Sequence, residues 1–183
     1  MFWPFGKEAP VEGGANKIAR AELLWKQGNR LLARNRFDKA IESYEAAMQL
    51  DPSRLEGRLN FGAALYLSGR PAEALPHLNY VLAIDTQNTA ALLNLAAVFD
   101  ALGQLEDSVL TLEKLVAHRP NWRDANYNLA IGYTKQQRWD DATIALRREL
   151  TLNPKHEAAR TLLNDVHLKP RKRQQETGEG QKG

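Results

Sequence analysis

Written in rows of 34 residues, 21–54, 55–88, 89–122 and 123–156, the chain repeats itself four times without a gap. The eighth position reads Gly28, Gly62, Ala96 and Ala130; the twentieth reads Ala40, Ala74, Ser108 and Ala142. Position 11 holds Leu31, Leu65, Phe99 and Tyr133, and position 24 holds Tyr44, Leu78, Leu112 and Leu146. A proline closes three of the four rows at position 32, as Pro52, Pro120 and Pro154, with Thr86 in the second. A period of this length rules out a single closed core, because each unit must bury its apolar face against its neighbours.

Each row reads as two amphipathic helices joined by a short turn. In the second, Leu59, Gly62, Ala63, Leu65 and Tyr66 fall at helical spacing before Ser68-Gly69-Arg70-Pro71 interrupts them. Pro71 suits the first turn of the following helix, where no amide donor is needed. Small side chains at positions 8 and 20 predict close approach of the two helices. The proline at position 32 separates one repeat from the next. Pro76 lies inside its helix and predicts a local bend.

These residues resemble the tetratricopeptide repeat, a family defined by a large residue near position 4, Leu-Gly at 7–8, an aromatic at 11 and 24, Ala at 20 and 27 and Pro at 32. The resemblance covers residues 21–156. The first row matches best, in Gly28, Phe37, Ala40, Tyr44, Ala47 and Pro52, although Trp25 stands one place late. The others depart: position 27 becomes Val81, Leu115 and Glu149, and position 4 becomes Arg58 and Asn126. The fold implied is all-α, a right-handed α-solenoid of helix-turn-helix units. The expected organisation is an N-terminal flexible segment over 1–16, a repeat domain over 17–168 and a basic flexible tail over 169–183. The first helix is expected to start near Asn16 or Lys17 with Asn16 as its cap. A capping helix over 157–168 would cover the last repeat with Leu162, Leu163 and Val166.

Composition narrows the function. The chain has 183 residues, 43% of them hydrophobic and 26% charged, with no cysteine. Thiolate nucleophiles, disulfides and thiolate zinc sites are therefore excluded. No apolar run of about 18 residues exists to span a membrane. The opening Met1-Phe2-Trp3-Pro4-Phe5 is too short for a signal-peptide core, so a cytoplasmic location is expected. The net charge of +3 sits in the tail, since residues 169–183 hold five basic and two acidic side chains. Within the repeats, residues 71–113 carry six acids and no Lys or Arg, while residues 17–70 carry ten bases against six acids. Nucleic acid is not the expected partner.

No constellation for catalysis stands out. The glycines lie at repeat registers and form no phosphate-binding loop, and no nucleophile motif accompanies the serines and histidines. Acid pairs such as Asp140-Asp141 and Glu106-Asp107 fall early in second helices, where they meet the helix dipole favourably. His77, His118, His156 and His167 form no pair at metal-ligand spacing, so neither a metal nor another cofactor is expected. His118 reads as a partly buried packing residue, because its register elsewhere carries Leu50, Ile84 and Leu152.

Position 6 is the exception to this plainness. It is Asn60, Asn94 and Asn128 in three consecutive repeats. Asparagine is a mediocre helix former, and its amide offers both a donor and an acceptor, matching an extended peptide backbone. The family resemblance implies that this position lines the concave groove, as the asparagine ladder of O-linked GlcNAc transferases does; the alternative is a bond to a neighbouring helix. The same resemblance places Asn29, Trp25, Lys26, Tyr66 and Tyr127 in the groove, with the aromatics as either anchors or packing residues. Of the carboxylate clamp found in chaperone-tail-binding members, Asn29 and Asn60 match. The basic residues of that clamp are replaced by Trp25, Ala90 and Asn94, so tail binding is not expected.

The sequence thus points to a non-catalytic scaffold holding a protein or peptide partner, with no small-molecule substrate. Specificity would come from the acidic middle and from Lys26, Arg30 and Arg34. Two other readings use the tails. Phe2, Trp3 and Phe5 would attach a membrane-associated assembly factor to lipid, and Lys169-Pro170-Arg171-Lys172-Arg173 would serve a nucleic-acid-associated adaptor. Self-association is a further outcome of an open groove.

Overall fold

The computed structural model describes residues 12–169, and no strand occurs among them. The helices are α1 (Glu12–Leu32), α2 (Phe37–Leu50), α3 (Leu55–Leu67), α4 (Pro71–Ile84), α5 (Thr89–Ala101), α6 (Leu105–His118), α7 (Ala125–Lys135), α8 (Trp139–Leu152) and α9 (Glu157–His167). Their bounds reproduce two helices per repeat and a further helix after the fourth. The helix α1 begins upstream of Asn16, which lies inside it and is not its cap. The described residues divide into two compact units, one up to Thr111 and one from Leu112.

One backbone device turns the chain inside every repeat. Position 15 is Asn35, Gly69, Gly103 and Gln137, and all four take the left-handed conformation, at φ 55°, 83°, 74° and 58°. The next amide then reaches back over the helix end: Arg36 to the Leu31 carbonyl, Arg70 to Leu65, Gln104 to Phe99 and Arg138 to Tyr133, each at 2.9 Å. Glycine takes this geometry freely, whereas Gln137 crowds its Cβ against its own backbone.

The turns between repeats are less uniform. Position 34 is the residue before the helix in three of them, as Arg54, Asn88 and His156. Asn88 accepts from the Ala91 amide at 3.0 Å, and His156 Nδ1 accepts from the Ala159 amide at 3.2 Å. Before α7 that position is Trp122, which, like Arg54, makes no side-chain cap bond. The helix instead starts later, at Ala125, preceded by Asp124 at φ 62°.

In the first unit the core is a run of rings. Trp25 and Tyr44 lie 5.6 Å apart, Tyr44 and Phe61 5.9 Å, Phe61 and His77 4.3 Å, measured between centroids. The glycines beside them are required by volume. A Cβ on Gly57 would stand 2.6 Å from Trp25 Cε3, and one on Gly28 would collide with the Tyr44 ring. Ala40 and Ala74 at position 20 are fully buried, as close helix packing demands. At the same register Ser108 donates to the Ala96 carbonyl at 2.8 Å. The helix α4 runs unbroken through Pro76.

The second unit packs Leu129, Ala130, Ala142, Ala145 and Leu146, closed by Ala159 and Val166 of α9. Val166 is 1% exposed and Leu162 and Leu163 are half-buried, so α9 covers the fourth repeat as a capping helix should. This core also holds two polar side chains, Asn126 and Glu149, each 1% exposed.

Candidate functional site

In the first unit, α1, α3 and α5 carry the residues singled out from the repeat register. Asn60 Nδ2 donates to Asn29 Oδ1 at 3.0 Å, and the Tyr44 hydroxyl donates to the same oxygen at 2.8 Å. Two of the sequence-selected amides are therefore brought together, on helices of adjacent repeats. The remaining polar groups of the pair, Asn29 Nδ2 and Asn60 Oδ1, take no partner among the described residues. Burial holds the Tyr44 phenol well above its ordinary pKa, so it stays a donor to Asn29. Asn94 and Tyr66 are half-buried on the same set of helices. Lys26 is exposed and pairs with Glu22 at 2.7 Å, one turn away.

Trp25 requires a correction. It is 2% exposed, with the six-membered ring of its indole beside Gly57 and tilted 37° to the Tyr44 ring, so it is a core residue and not a groove anchor. The glycine at 57 makes room for it. His118 also differs from expectation. It is exposed at the end of α6, as Ile84 and Leu152 are at 58% and 45% in the same register, whereas Leu50 there packs against the core of the first unit.

In the second unit Asn128 keeps the position-6 register and is half-buried. Tyr127 beside it is half-buried with its ring 4.7 Å from that of His156, so this aromatic packs against the entrance to α9. Both residues line a cavity of about 510 Å3 with Asp124, Asn153, Lys155 and His156. A second cavity of about 570 Å3 is floored by Asn126, Leu129 and Tyr133 of α7. There the Tyr133 hydroxyl donates to Glu113 Oε1 at 2.7 Å, and Arg138 lies over the Tyr133 ring. Burial, then the bond to Glu113, pushes the Tyr133 pKa up to about 12.

No metal was expected, yet Asp124, Glu149 and His156 converge, with one donor atom from each within 4.8 Å of the others. Histidine-pair spacing does not reveal this group, since its members stand on three elements. The available signal was Glu149 itself, a carboxylate at a register otherwise filled by Ala47, Val81 and Leu115.

Phe2, Trp3, Phe5 and residues 170–173 of the basic stretch lie outside the described residues. Among the described residues no helix is long and apolar enough to cross a membrane.

Paired helices, the left-handed turn at position 15 and small residues at 8 and 20 together define a helical-repeat protein of the all-α solenoid class. The chain belongs to the tetratricopeptide repeat family, whose models match residues 28–69, 65–130 and 125–174. Among curated proteins it is 34% identical over 76 residues to the mouse (Mus musculus) protein O-mannosyl-transferase TMTC1. That match covers 42% of this chain but only 8% of the transferase, about two repeats' length. Among solved structures it is similar to MamA from Desulfovibrio magneticus RS-1, with a TM-score of 0.75, 21% identity, and 81% and 84% of the two chains covered. It is also similar to YrrB, described as a TPR protein with an unusual peptide-binding site, at a TM-score of 0.71 and 20% identity, covering 77% and 73%.

Proposed function

We propose that this chain is a non-catalytic scaffold that holds an extended segment of a protein partner along the α1, α3 and α5 face bearing Asn29, Asn60, Asn94 and Tyr66. The observation that carries this reading is the Tyr44–Asn29–Asn60 chain of hydrogen bonds. It fixes both amides while leaving one donor group and one acceptor without a protein partner, the pair that a peptide unit satisfies. Lys26 and Arg30, exposed on α1, favour an acidic flank in the partner. The peptide-binding description of YrrB supports the reading by analogy of fold. Asn128 offers the same chemistry in the second unit.

Random peptides displayed on phage and selected on the full chain test this directly. Selected peptides are expected to lose about tenfold or more in affinity for a variant carrying Asn60→Ala and Asn94→Ala, the size of two lost hydrogen bonds. Peptides that bind both proteins alike would overturn this reading, and a lowered melting temperature of the variant would then assign the amides to helix packing.

A further inference from the structure

In the second unit Asp124 precedes α7, Glu149 stands in the last turn of α8 and His156 precedes α9. His156 Nε2 is already 3.2 Å from Asp124 Oδ1. Two donors on one tetrahedral zinc ion stand about 3.3–3.5 Å apart, as bonds of about 2.0–2.2 Å require. One Glu149 carboxylate oxygen completes the group within 4.8 Å.

Glu149 gives independent reason to expect a cation. The residue is 1% exposed and its Oε2, shielded from solvent, has no hydrogen-bond partner. A buried carboxylate oxygen without a donor is costly, and an alanine, valine or leucine at this register would pack without that cost. Asp124 adds a third observation, since an aspartate is held in the left-handed region at φ 62° where the preceding repeats begin their helices regularly. The cavity of about 510 Å3 that Asp124 and His156 line supplies an approach and room for a fourth ligand. Arg123, 85% exposed, approaches Asp124 through the other oxygen, Oδ2, at 3.7 Å, and can swing away.

We propose that Asp124, Glu149 and His156 form a binding site for a divalent transition-metal ion of the zinc class, with water or an incoming donor in the fourth position. An imidazole with two carboxylates and no thiolate suits zinc, cobalt or nickel better than a soft-ligand metal. Binding through Nε2 moves the imidazole proton to Nδ1, so the bond from the Ala159 amide is given up. Metal loading is thereby coupled to the first turn of α9.

The test is titration of the chelator-stripped full chain with Zn2+ by calorimetry and with Co2+ by visible absorption. One ion per chain is expected, with a rise in melting temperature and a shift of the Ala159 amide resonance. Asp124→Asn tolerates the left-handed backbone, and His156→Asn retains a capping oxygen for Ala159. Each is expected to weaken Zn2+ binding by about tenfold or more, as is Glu149→Gln, while His118→Asn leaves it unchanged. Because Glu149 is buried, the Asp124 and His156 variants decide the matter if the glutamine variant fails to fold. Absence of Zn2+ binding at millimolar ion, or binding that survives both of those substitutions, would overturn the site.

Discussion

Position 27 makes the difference between the two units plain. In the first it is Ala47 and Val81, both buried; in the second it is Leu115, also buried and apolar, and then Glu149, equally buried, with a carboxylate oxygen that has no partner. At position 4 the first unit carries Leu24, a half-buried Arg58 and Leu92, and the second carries Asn126, buried with its Oδ1 unpartnered. One repeat plan therefore leaves ring nitrogens of Trp25 and His77 unpartnered in the first unit, and a carboxylate and a carboxamide oxygen in the second. Tetratricopeptide packing needs small or apolar volume at these registers, so polar groups there weaken the fold unless they do something else.

Trp25→Ala is the severest test of the first unit's aromatic core. It should cost about 3–5 kcal/mol in denaturant unfolding, as loss of a buried tryptophan does. A loss below about 1 kcal/mol would return Trp25 to the surface and erase the contrast. In metal-free protein, Glu149→Leu should raise stability by about 1–2 kcal/mol by removing an unsatisfied buried group. The same measurement on Ala47→Glu should show a loss larger than that gain, and equal tolerance at the two sites would mean that the interiors are alike.

Backbone geometry sharpens the comparison on a smaller scale. Gln137→Gly should add about 1 kcal/mol by relieving a left-handed glutamine, while Gly69→Ala in the first unit should lose about as much. Thermal melts of the two variants check this pair. The smallest effect expected is a pH slope from His77. Burial first, then the nearby Arg58, holds its pKa below the ordinary 6.5, with Glu73 opposing. The unfolded chain thus takes up the proton more readily, and stability present above pH 6.5 falls as the pH drops through that value. His77→Phe, which keeps a ring against Phe61, should flatten the slope between pH 7 and 5, read from melts across that range.

Much of the fold was legible because repeat packing is local. Gly28, Gly62, Ala40 and Ala74 declare their registers through volume, and consecutive helices meet without long-range choices. The asparagines at position 6 were legible for the same reason, and the Asn29–Asn60 bond follows from two registers one repeat apart. Trp25 was not. Its burial depends on Gly57 at position 3, a register small again in Ala91 and Ala125, so the period shows the small residue but not the ring that fills the space beside it.

The amino-acid sequence by itself determined the period, the helix pairs, the turns and the capping helix, since each follows from side-chain volume and backbone preference within about one repeat. Tertiary structure alone decided which side chains meet in each interior. The helix α7 starts two residues later in its repeat than α3 and α5, on a left-handed Asp124, and that residue meets His156 and Glu149. Such a meeting depends on the path of three separate elements, and no spacing along the chain encodes it.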